Sequence, residues 1–541
     1  MGQQYFIGVD VGSASVRSAI FDLKGKRLAF SVLPIQQFHS KTDFFEQSSA
    51  DIWANVCSTV KEVIFQADID SIHVKSISFD ATCSLVAVGS SRLPLSIAEN
   101  GNPERDIIMW MDHRAGEEAT SINLTNDPAL RYVGGEVSVE MELPKVLWLK
   151  NHFPQRYQAA WRFFDLADFL VWKATGADVA SVCTLTCKWN YLAHQAQFSK
   201  EFLQRIGLGD LTDKIPSTIL KLGEKAGYLT EEAARAFGLH GKVIVASGII
   251  DAHAGGLALV GAKPTGSLAI ISGTSNCHMI VSPEPLMVPG VWGPYLGAML
   301  PEYWLNEGGQ SAAGALVEWS IRQHEAWPAL EAETKVSGRH YYQLLNDAVT
   351  QLEQHEKYPT KQLHVLADHH GNRSPRANPR AKGMVSGLML EQGREALARY
   401  YLATLQSIAY GTRHIIDTLI TAGHQIDRLV MCGGATKNPL WLREYANATG
   451  QEIHLAQEED AVNLGAAILG AVACGAFANI AQAAQTMVRA GDVIYPDKET
   501  YPFHQAKYQV YLQMYQDQQR YIDIMRSANS FKLHKKNKSF G

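Results

Sequence analysis

What the chain lacks narrows it first. Nothing in it resembles the basic face that a nucleic-acid binder needs, because its 541 residues carry a net charge of −5 with acids and bases interspersed. No nucleic-acid partner is expected. The one basic run, Lys532-Leu-His-Lys535-Lys536-Asn-Lys538, reads as part of a frayed, solvated tail over 527–541 and is assigned no function. No uninterrupted apolar run approaches the roughly 20 residues of a membrane span. The opening Met1-Gly-Gln-Gln passes directly into a strand pattern, without the basic and apolar segments of a secretory leader. The expectation is a cytoplasmic protein with no membrane partner.

Cysteine is sparse: Cys57, Cys83, Cys183, Cys187, Cys277, Cys432 and Cys474 make 7, an odd and scattered set that suits reduced thiols better than a disulfide framework. No CxxC pair occurs, and the 19 histidines show neither HExxH nor a paired spacing with cysteine, so no zinc site is expected. The densest histidine cluster, Asp368-His369-His370, is adequately explained by a surface loop. Two nucleotide motifs are also missing. Gly261-Ala-Lys-Pro-Thr-Gly266-Ser267 has Ser where a Walker A motif needs Lys. Gly8 and Gly12 are spaced too widely for GxGxxG, which disfavours a dinucleotide fold and with it a dehydrogenase.

What is present is a chain that is 46% hydrophobic and long enough for two large domains. It is organised around Gly248-Ile-Ile-Asp251-Ala-His-Ala-Gly-Gly256. The β-branched run 242–247 reads as a buried strand and 252–259 as a closely packed helix, which puts Asp251 just past a strand end. Open α/β sheets place their chemistry there. As a helix cap Asp251 is equally well explained.

Residues 5–22 read as strand, tight turn, strand, with Asp10 ending the first strand and Gly12, Ser13 and Ser15 in the turn. Such a turn gives phosphate a cradle of N–H and hydroxyl groups. An acid beside it makes sense if Mg²⁺ lies between acid and phosphate, while an ordinary Gly-Ser hairpin turn explains the turn alone as well. Residues 266–281 repeat the scheme around Ser272-Gly273-Thr274-Ser275, which suggests two domains built alike with a shared nucleotide cleft.

Between and beyond these hairpins, 50–66 reads as an amphipathic helix, 74–88 as a strand with polar residues midway, and 142–150 and 159–174 as helices. Residues 180–192 read as a loop or short strand carrying one lysine, Lys188, of a kind usually solvated. Trp110 followed by Asp112, His113 and Arg114 could cover and hydrogen-bond a polyhydroxylated ligand, or form a surface salt bridge at a helix start. Residues 307–314, ending at Gly314, read as a small-residue helix start. The 428–441 stretch runs from buried strand through Gly433-Gly434 to a helix with Pro in its first turn. The Gly pair lets backbone lie flat against a ring or ribose.

Four motifs in order, the 10–17 turn, Gly248-x-x-Asp251, Ser272-Gly273-Thr274-Ser275 and Gly433-Gly434-Ala435-x-x-Asn438, resemble the FGGY sugar kinases over nearly the whole chain. The resemblance implies an α/β fold of two hexokinase/actin-like (ribonuclease H-like) domains around a central cleft. Residues 1–258 would bind sugar and carry the first phosphate turn, and 259–526 would bind nucleotide. ATP and Mg²⁺ are the implied cofactors, the metal lying at Asp10 and Asp251. Asp251 would take the proton of a terminal sugar hydroxyl as it accepts the γ-phosphoryl group. Gly12, Ser13, Ser15 and Arg17 would face the phosphates with Gly273, Thr274 and Ser275, while Gly314, Gly433, Gly434, Ala435 and Asn438 would hold the nucleotide. Asp80, Thr82, Cys83, Trp110, Asp112, His113, Lys188, Asp251 and Gln310 are the implied sugar contacts, whereas packing explains His253 as well as a ligand role does.

Within the family, Phe79-Asp80-Ala-Thr82-Cys83-Ser84 looks like the D-A-T-C-S segment of ribulokinases, where xylulose kinases tend to have Met-His-Gly. Lys188 in Cys187-Lys188-Trp189 resembles the ribulokinase lysine at the sugar site. Both favour D-ribulose, giving D-ribulose 5-phosphate, over L-ribulose, xylulose or a pentitol. A non-catalytic sugar or nucleotide sensor on the same fold is the alternative, though neither Asp251 nor the Gly-hydroxyl turns are lost. The chain departs from the family in having Ser13-Ala-Ser15 where Thr-Thr-Ser is common, and Ala435-Thr436 where Gly-Ser or Ala-Lys is common. Dimers are common in the family, so a homodimer is an open expectation.

Overall fold

A computed structural model describes residues 3–458 and 460–536, with side chains up to residue 527. Two large sheets repeat one topology. In the first, Tyr5–Val11, Ser15–Asp22 and Arg27–Pro34 run antiparallel in succession, and Val74–Ala81 and then Ile244–Ala246 continue in parallel from the other side of Tyr5–Val11. In the second, Gly266–Ser272, Asn276–Ser282 and Trp304–Gln310 are the antiparallel trio, and Ile426–Gly433 and Ile453–Ala456 the parallel pair. Each sheet has an added antiparallel edge, Lys225–Tyr228 on the first and Ala490–Ile494 on the second. The innermost strands are buried on both faces, which is why Tyr5–Val11 reads as a continuous apolar run broken only by Gly8 and Asp10.

Two helices cross between the sheets. Asp251–Val260 follows the short strand Ile249–Ile250 of the first sheet but packs on the second; Ala461–Ala473 follows the second sheet and packs on the first. They meet at Gly465, where a Cβ would stand 1.9 Å from the Ala254 carbonyl oxygen, so only glycine allows this approach.

Four readings of the sequence need correction. Residues 74–88 are two strands, Val74–Ala81 in the first large sheet and Leu85–Gly89 in another, and residues 307–310 end the strand Trp304–Gln310, so that the helix starts only at Gly314. Residues 159–174 are not one helix: Ala160–Asp165 is a strand paired with Leu85–Gly89 in a separate five-stranded sheet, and only Leu166–Thr175 is helical. The aromatic run Trp161-Arg-Phe-Phe164 fits a helical period, but pairing across the sheet decides its state. Residues 182–188 are not a loop but the helix Val182–Lys188, capped by Ser181, whose hydroxyl accepts from the Cys183 N–H. The last helix runs Tyr501–Lys536; the end of the basic tail, 537–541, lies outside the described residues. No helix among the described residues is long and apolar enough to cross a membrane.

Candidate active site

The parallel strands of the first sheet end together, and their ends carry carboxylates. Register pairs Asp10 with Asp80 and Ile249 with Asp80, so Asp251 lies two residues beyond that level, just past the end of the adjoining strand Ile249–Ile250. Asp251 is the first residue of its helix; Ile250 is the N-cap and makes no side-chain cap. Its Oδ1 accepts from the Ala252 N–H at 2.6 Å, and Asp251 stays partly open to the cleft. Asp10 is buried, and Arg17, its cross-strand neighbour, pairs with it at 3.0 Å.

Burial pushes Asp10 up to about 7 against the pull of Arg17, with Asp460 and Asp251 adding to the rise. Burial also drives Asp80 well above the usual carboxylate range, helped by Asp10 and Asp251, and neither Asp80 oxygen has a hydrogen-bond partner. Asp251 is raised by desolvation, against the Ala252 amide and the His253 and Lys188 cations. Asp460, which no sequence motif marked, comes from the start of the crossing helix Ala461–Ala473, where it accepts from Asn463. Among the described residues, the carboxylates of Asp10, Asp80, Asp251 and Asp460 thus share one end of the cleft with the Arg17 guanidinium.

A second ionic group lies beside Asp251. Glu307, on the strand Trp304–Gln310 of the second sheet, accepts from His253 Nε2 at 3.2 Å and from Arg373 Nη2 at 2.7 Å. Burial opposes its ionisation, but His253, Arg373 and Lys188 outweigh that and hold it below the usual carboxylate range. Lys188 ends the helix Val182–Lys188, is buried, and lies 4.7 Å from the Trp292 ring, whose face Arg373 also covers at 3.9 Å. Burial works against its charge; Cys83 and Glu307 foremost among the surrounding acids raise it again. His253 is likewise opposed by burial but lifted to about 10 by Cys183 and Glu307. Donors, an acceptor and an aromatic face therefore converge next to Asp251, as a polyol requires. His253 belongs to the Gly248–Gly256 stretch, but Glu307 and Arg373 lie far from it in sequence, and only the fold gathers the three.

On the other wall, Gly273 N–H bonds the Ser275 carbonyl at 2.9 Å, and the Thr274 carbonyl accepts from Ala313 and Ala315 at the start of the helix Gly314–Arg322. Ser272 pairs in register with Gly433, which adopts φ +95°; a Cβ there would lie 2.3 Å from the Ser272 carbonyl oxygen. Gly434 is exposed with nothing within 4 Å of its added Cβ, so open backbone is available to a flat ligand. Ala435 is buried behind it.

Several sequence candidates are already engaged elsewhere. Asp112 is buried, and its oxygens accept from Arg114 Nε and Nη2 and from the Phe45 N–H; Arg114 in turn pairs with Glu46. His113 is exposed next to this knot, its N–H bonded to the Asp43 carbonyl. Gln310 donates to the Ile408 carbonyl and accepts from Asn276 and Thr412, tying strands and helices of the second half together. Asn438 caps the helix Pro439–Thr449 and donates to Tyr401. Trp110 Nε1 donates to Ser13 Oγ at 2.8 Å, which links the first turn to the Trp110 segment. Ser13 O is held by Gln37 and Gln47, Gly12 N–H bonds the Ser15 carbonyl, and Thr82 and Cys83 follow Asp80 as buried residues, Cys83 beside Lys188. A hollow of about 500 Å³ lined by Trp319, Arg399 and Tyr400 contains none of these groups.

Two sheets of one topology, each ending in a Gly-hydroxyl turn beside a floor of aspartates, make the chain a two-domain phosphotransferase with a central cleft. Its sequence gives the family: the chain belongs to the FGGY family of carbohydrate kinases, whose N-terminal domain matches residues 5–258 and C-terminal domain residues 268–474. It is 43% identical to a human FGGY carbohydrate kinase domain-containing protein over 97% of this chain and 98% of that one. A D-ribulokinase of Saccharomyces cerevisiae is 36% identical over 88% of this chain and 72% of its own length. In fold the chain is similar to xylulose kinase from Rhodospirillum rubrum, with a TM-score of 0.80 at 20% identity over 96% of this chain and 99% of that one. The protein is an ATP-dependent sugar kinase.

Proposed function

We propose that this kinase phosphorylates the terminal hydroxyl of a ketopentose, D-ribulose, to give D-ribulose 5-phosphate. The observation that carries this is the position of Asp251, an acid raised by desolvation between the buried Lys188–Glu307–Arg373 group and the aspartates of the phosphate end. The choice of sugar rests on the Asp80-Ala-Thr82-Cys83-Ser84 segment, on Lys188, and on the likeness to the yeast D-ribulokinase.

Lys188 and Arg373 donate to sugar oxygens, Glu307 accepts, and the Trp292 face covers carbon. Asp251 accepts the proton of the attacking hydroxyl, and a raised pKa suits that task near neutral pH. The second-half turns at Gly273 and Gly433 hold the nucleotide and align its γ-phosphoryl in line with that oxygen. The aspartate end fits Mg²⁺: its donors are all oxygens, two of them have no partner, and negative charge is in excess. Asp10 and Asp251 would hold the ion, with Asp80 beside them, and bound there it would neutralise charge on the phosphates.

The test is ADP release with Mg²⁺ and ATP across D-ribulose, L-ribulose, D-xylulose, L-xylulose, ribitol, arabitol and glycerol, beside Asp251→Asn. D-ribulose is expected to give the highest kcat/KM, and Asp251→Asn to lose about 10²–10⁴ in kcat while sugar still binds. A win for xylulose or glycerol overturns the ribulose assignment. Full turnover in Asp251→Asn overturns the proton-acceptor role.

A further inference from the structure

Beneath the sugar end of the cleft, two thiols and an imidazole converge. Cys183 and Cys187 lie four residues apart on one face of the helix Val182–Lys188, and their sulfurs stand 3.2 and 3.9 Å from His253 Nδ1. All three residues are buried, and among the described residues theirs is the group of possible ligand atoms lying within 4.8 Å of one another. On the far side of the ring Glu307 Oε2 approaches Nε2 at 3.2 Å. Phosphoryl transfer uses neither thiol. No spacing rule marks the site, and the sequence reading expects no zinc there, since a Cys-x-x-x-Cys pair within one helix and a distant histidine match no common zinc spacing.

The geometry discriminates between the two things paired thiols do. Side chains four apart on a helix have Cβ atoms about 5–6 Å apart, whereas a disulfide needs about 3.5–4.5 Å. Oxidation would therefore have to unwind the helix. An ion requires no such change: zinc bonds of about 2.3 Å to sulfur and about 2.0–2.1 Å to nitrogen at a tetrahedral angle put S and N about 3.6 Å apart. The two S···N separations, 3.2 and 3.9 Å, bracket that value. Two sulfurs and one nitrogen select a soft ion over Mg²⁺ or Ca²⁺. A carboxylate on the second ring nitrogen is the arrangement that orients a metal-bound histidine. The partly exposed Asp251, two residues before His253, marks the way in from the cleft.

We propose that Cys183, Cys187 and His253 bind a thiophilic d¹⁰ cation of the zinc class, oriented by Glu307, and that its occupation shuts off sugar phosphorylation. The inhibition follows from connectivity. Cys187 directly precedes Lys188, and His253 shares the first helical turn with Asp251, so an ion on these ligands adds positive charge beside Lys188 and fixes both polar groups that face the sugar where they stand, against the adjustment that closing on a substrate requires. Ion binding stands on its own; the inhibitory half rests on the sugar-site reading above.

The test titrates the metal-free full-length protein with Co²⁺, reading thiolate-to-cobalt charge-transfer absorption, and then displaces the cobalt with Zn²⁺. One Co²⁺ per chain is expected, with the band weakened to about half in Cys183→Ser and in Cys187→Ser and lost in the double variant, but kept in Cys57→Ser and Cys474→Ser. X-ray absorption at the zinc edge of the loaded wild-type protein decides the matter even if the variants misfold: sulfur at about 2.3 Å supports the site, and a shell of oxygen and nitrogen alone overturns it. Absence of a charge-transfer band, or its survival at full strength in the double variant, also overturns it. With the sugar that gives turnover, one equivalent of Zn²⁺ is expected to lower kcat at least tenfold in wild type and to leave Cys187→Ser active; full activity of zinc-loaded wild type overturns the inhibitory half. If no sugar is turned over, the kinase assignment has failed while the cobalt spectra still decide the ion site.

Discussion

Replacing Asp10 by Asn should make the metal-free protein more stable, and increasingly so as pH rises. Asp10 is raised from 3.8 to about 7 in the folded chain, first by burial and then by its acidic neighbours. Below about pH 4 the carboxyl is protonated in both folded and unfolded chains, and it contributes nothing to pH dependence. Between there and about pH 7 the unfolded chain releases the proton and the folded chain keeps it, so folding loses stability as pH rises. Over roughly three pKa units at 1.36 kcal/mol each, the cost reaches about 4 kcal/mol and is fully present above about pH 7. Asparagine cannot ionise and escapes it. About 2 kcal/mol of the difference accrues between pH 5.5 and pH 8. The assay is urea unfolding with a chelator present, wild type beside Asp10→Asn, at those two pH values. The variant's advantage should be about 2 kcal/mol larger at pH 8. Mg²⁺ should then restore wild type at pH 8 and leave the variant where it was. An advantage equal at both pH values would refute the reasoning, because it would mean that the Asp10 carboxyl is not held protonated by its surroundings.

Glu307→Gln leaves His253, Arg373 and Lys188 without their anion, and removing one partner of such a buried group costs about 3–5 kcal/mol; a thermal midpoint unchanged from wild type would count against the ionic group, and the sugar KM should rise more than the ATP KM. Gly433→Ala places a Cβ 2.3 Å from the Ser272 carbonyl at φ +95°, a strain of about 1–3 kcal/mol. Its ATP KM is expected to rise at least tenfold with sugar binding, read by calorimetry, intact. Lys188→Met should cut kcat/KM for the ketose while ATP binding persists, and equal loss for both ligands would place the lysine elsewhere.

Local chemistry carried much of the fold into the sequence. The two strand–turn–strand hairpins and Asp251 beyond its strand are visible because each depends on neighbours within a few residues. The helix Val182–Lys188 is not visible: seven residues, five of them Val, Cys or β-branched Thr, have no strong helical preference, and a Ser181 cap and packing decide. The strand Ala160–Asp165 owes its state to Leu85–Gly89, which lies more than 70 residues earlier. The site divides the same way. Asp10, Asp80 and His253, two residues past Asp251, stand in legible stretches, and Lys188 stands out only through the family resemblance, whereas Glu307, Arg373 and Asp460 reach the cleft only through long-range packing. Asp112 shows the reverse, a conspicuous acid whose charge the fold already assigns to Arg114.

The crossing helices make the cleft sensitive to the angle between its walls. Asp251 opens one helix and Asp460 caps the start of the other, and the two helices bear on each other at the Gly465–Ala254 contact. Were one wall to turn about that contact, the two aspartates would swing apart or together, and carboxylate spacing would gauge closure. Both helices begin at the aspartate end of the cleft, so their partial positive charge falls there with the carboxylates. On the proposed function, closing would bring two dipole ends and the aspartates onto the phosphates at once, coupling charge neutralisation to the exclusion of water.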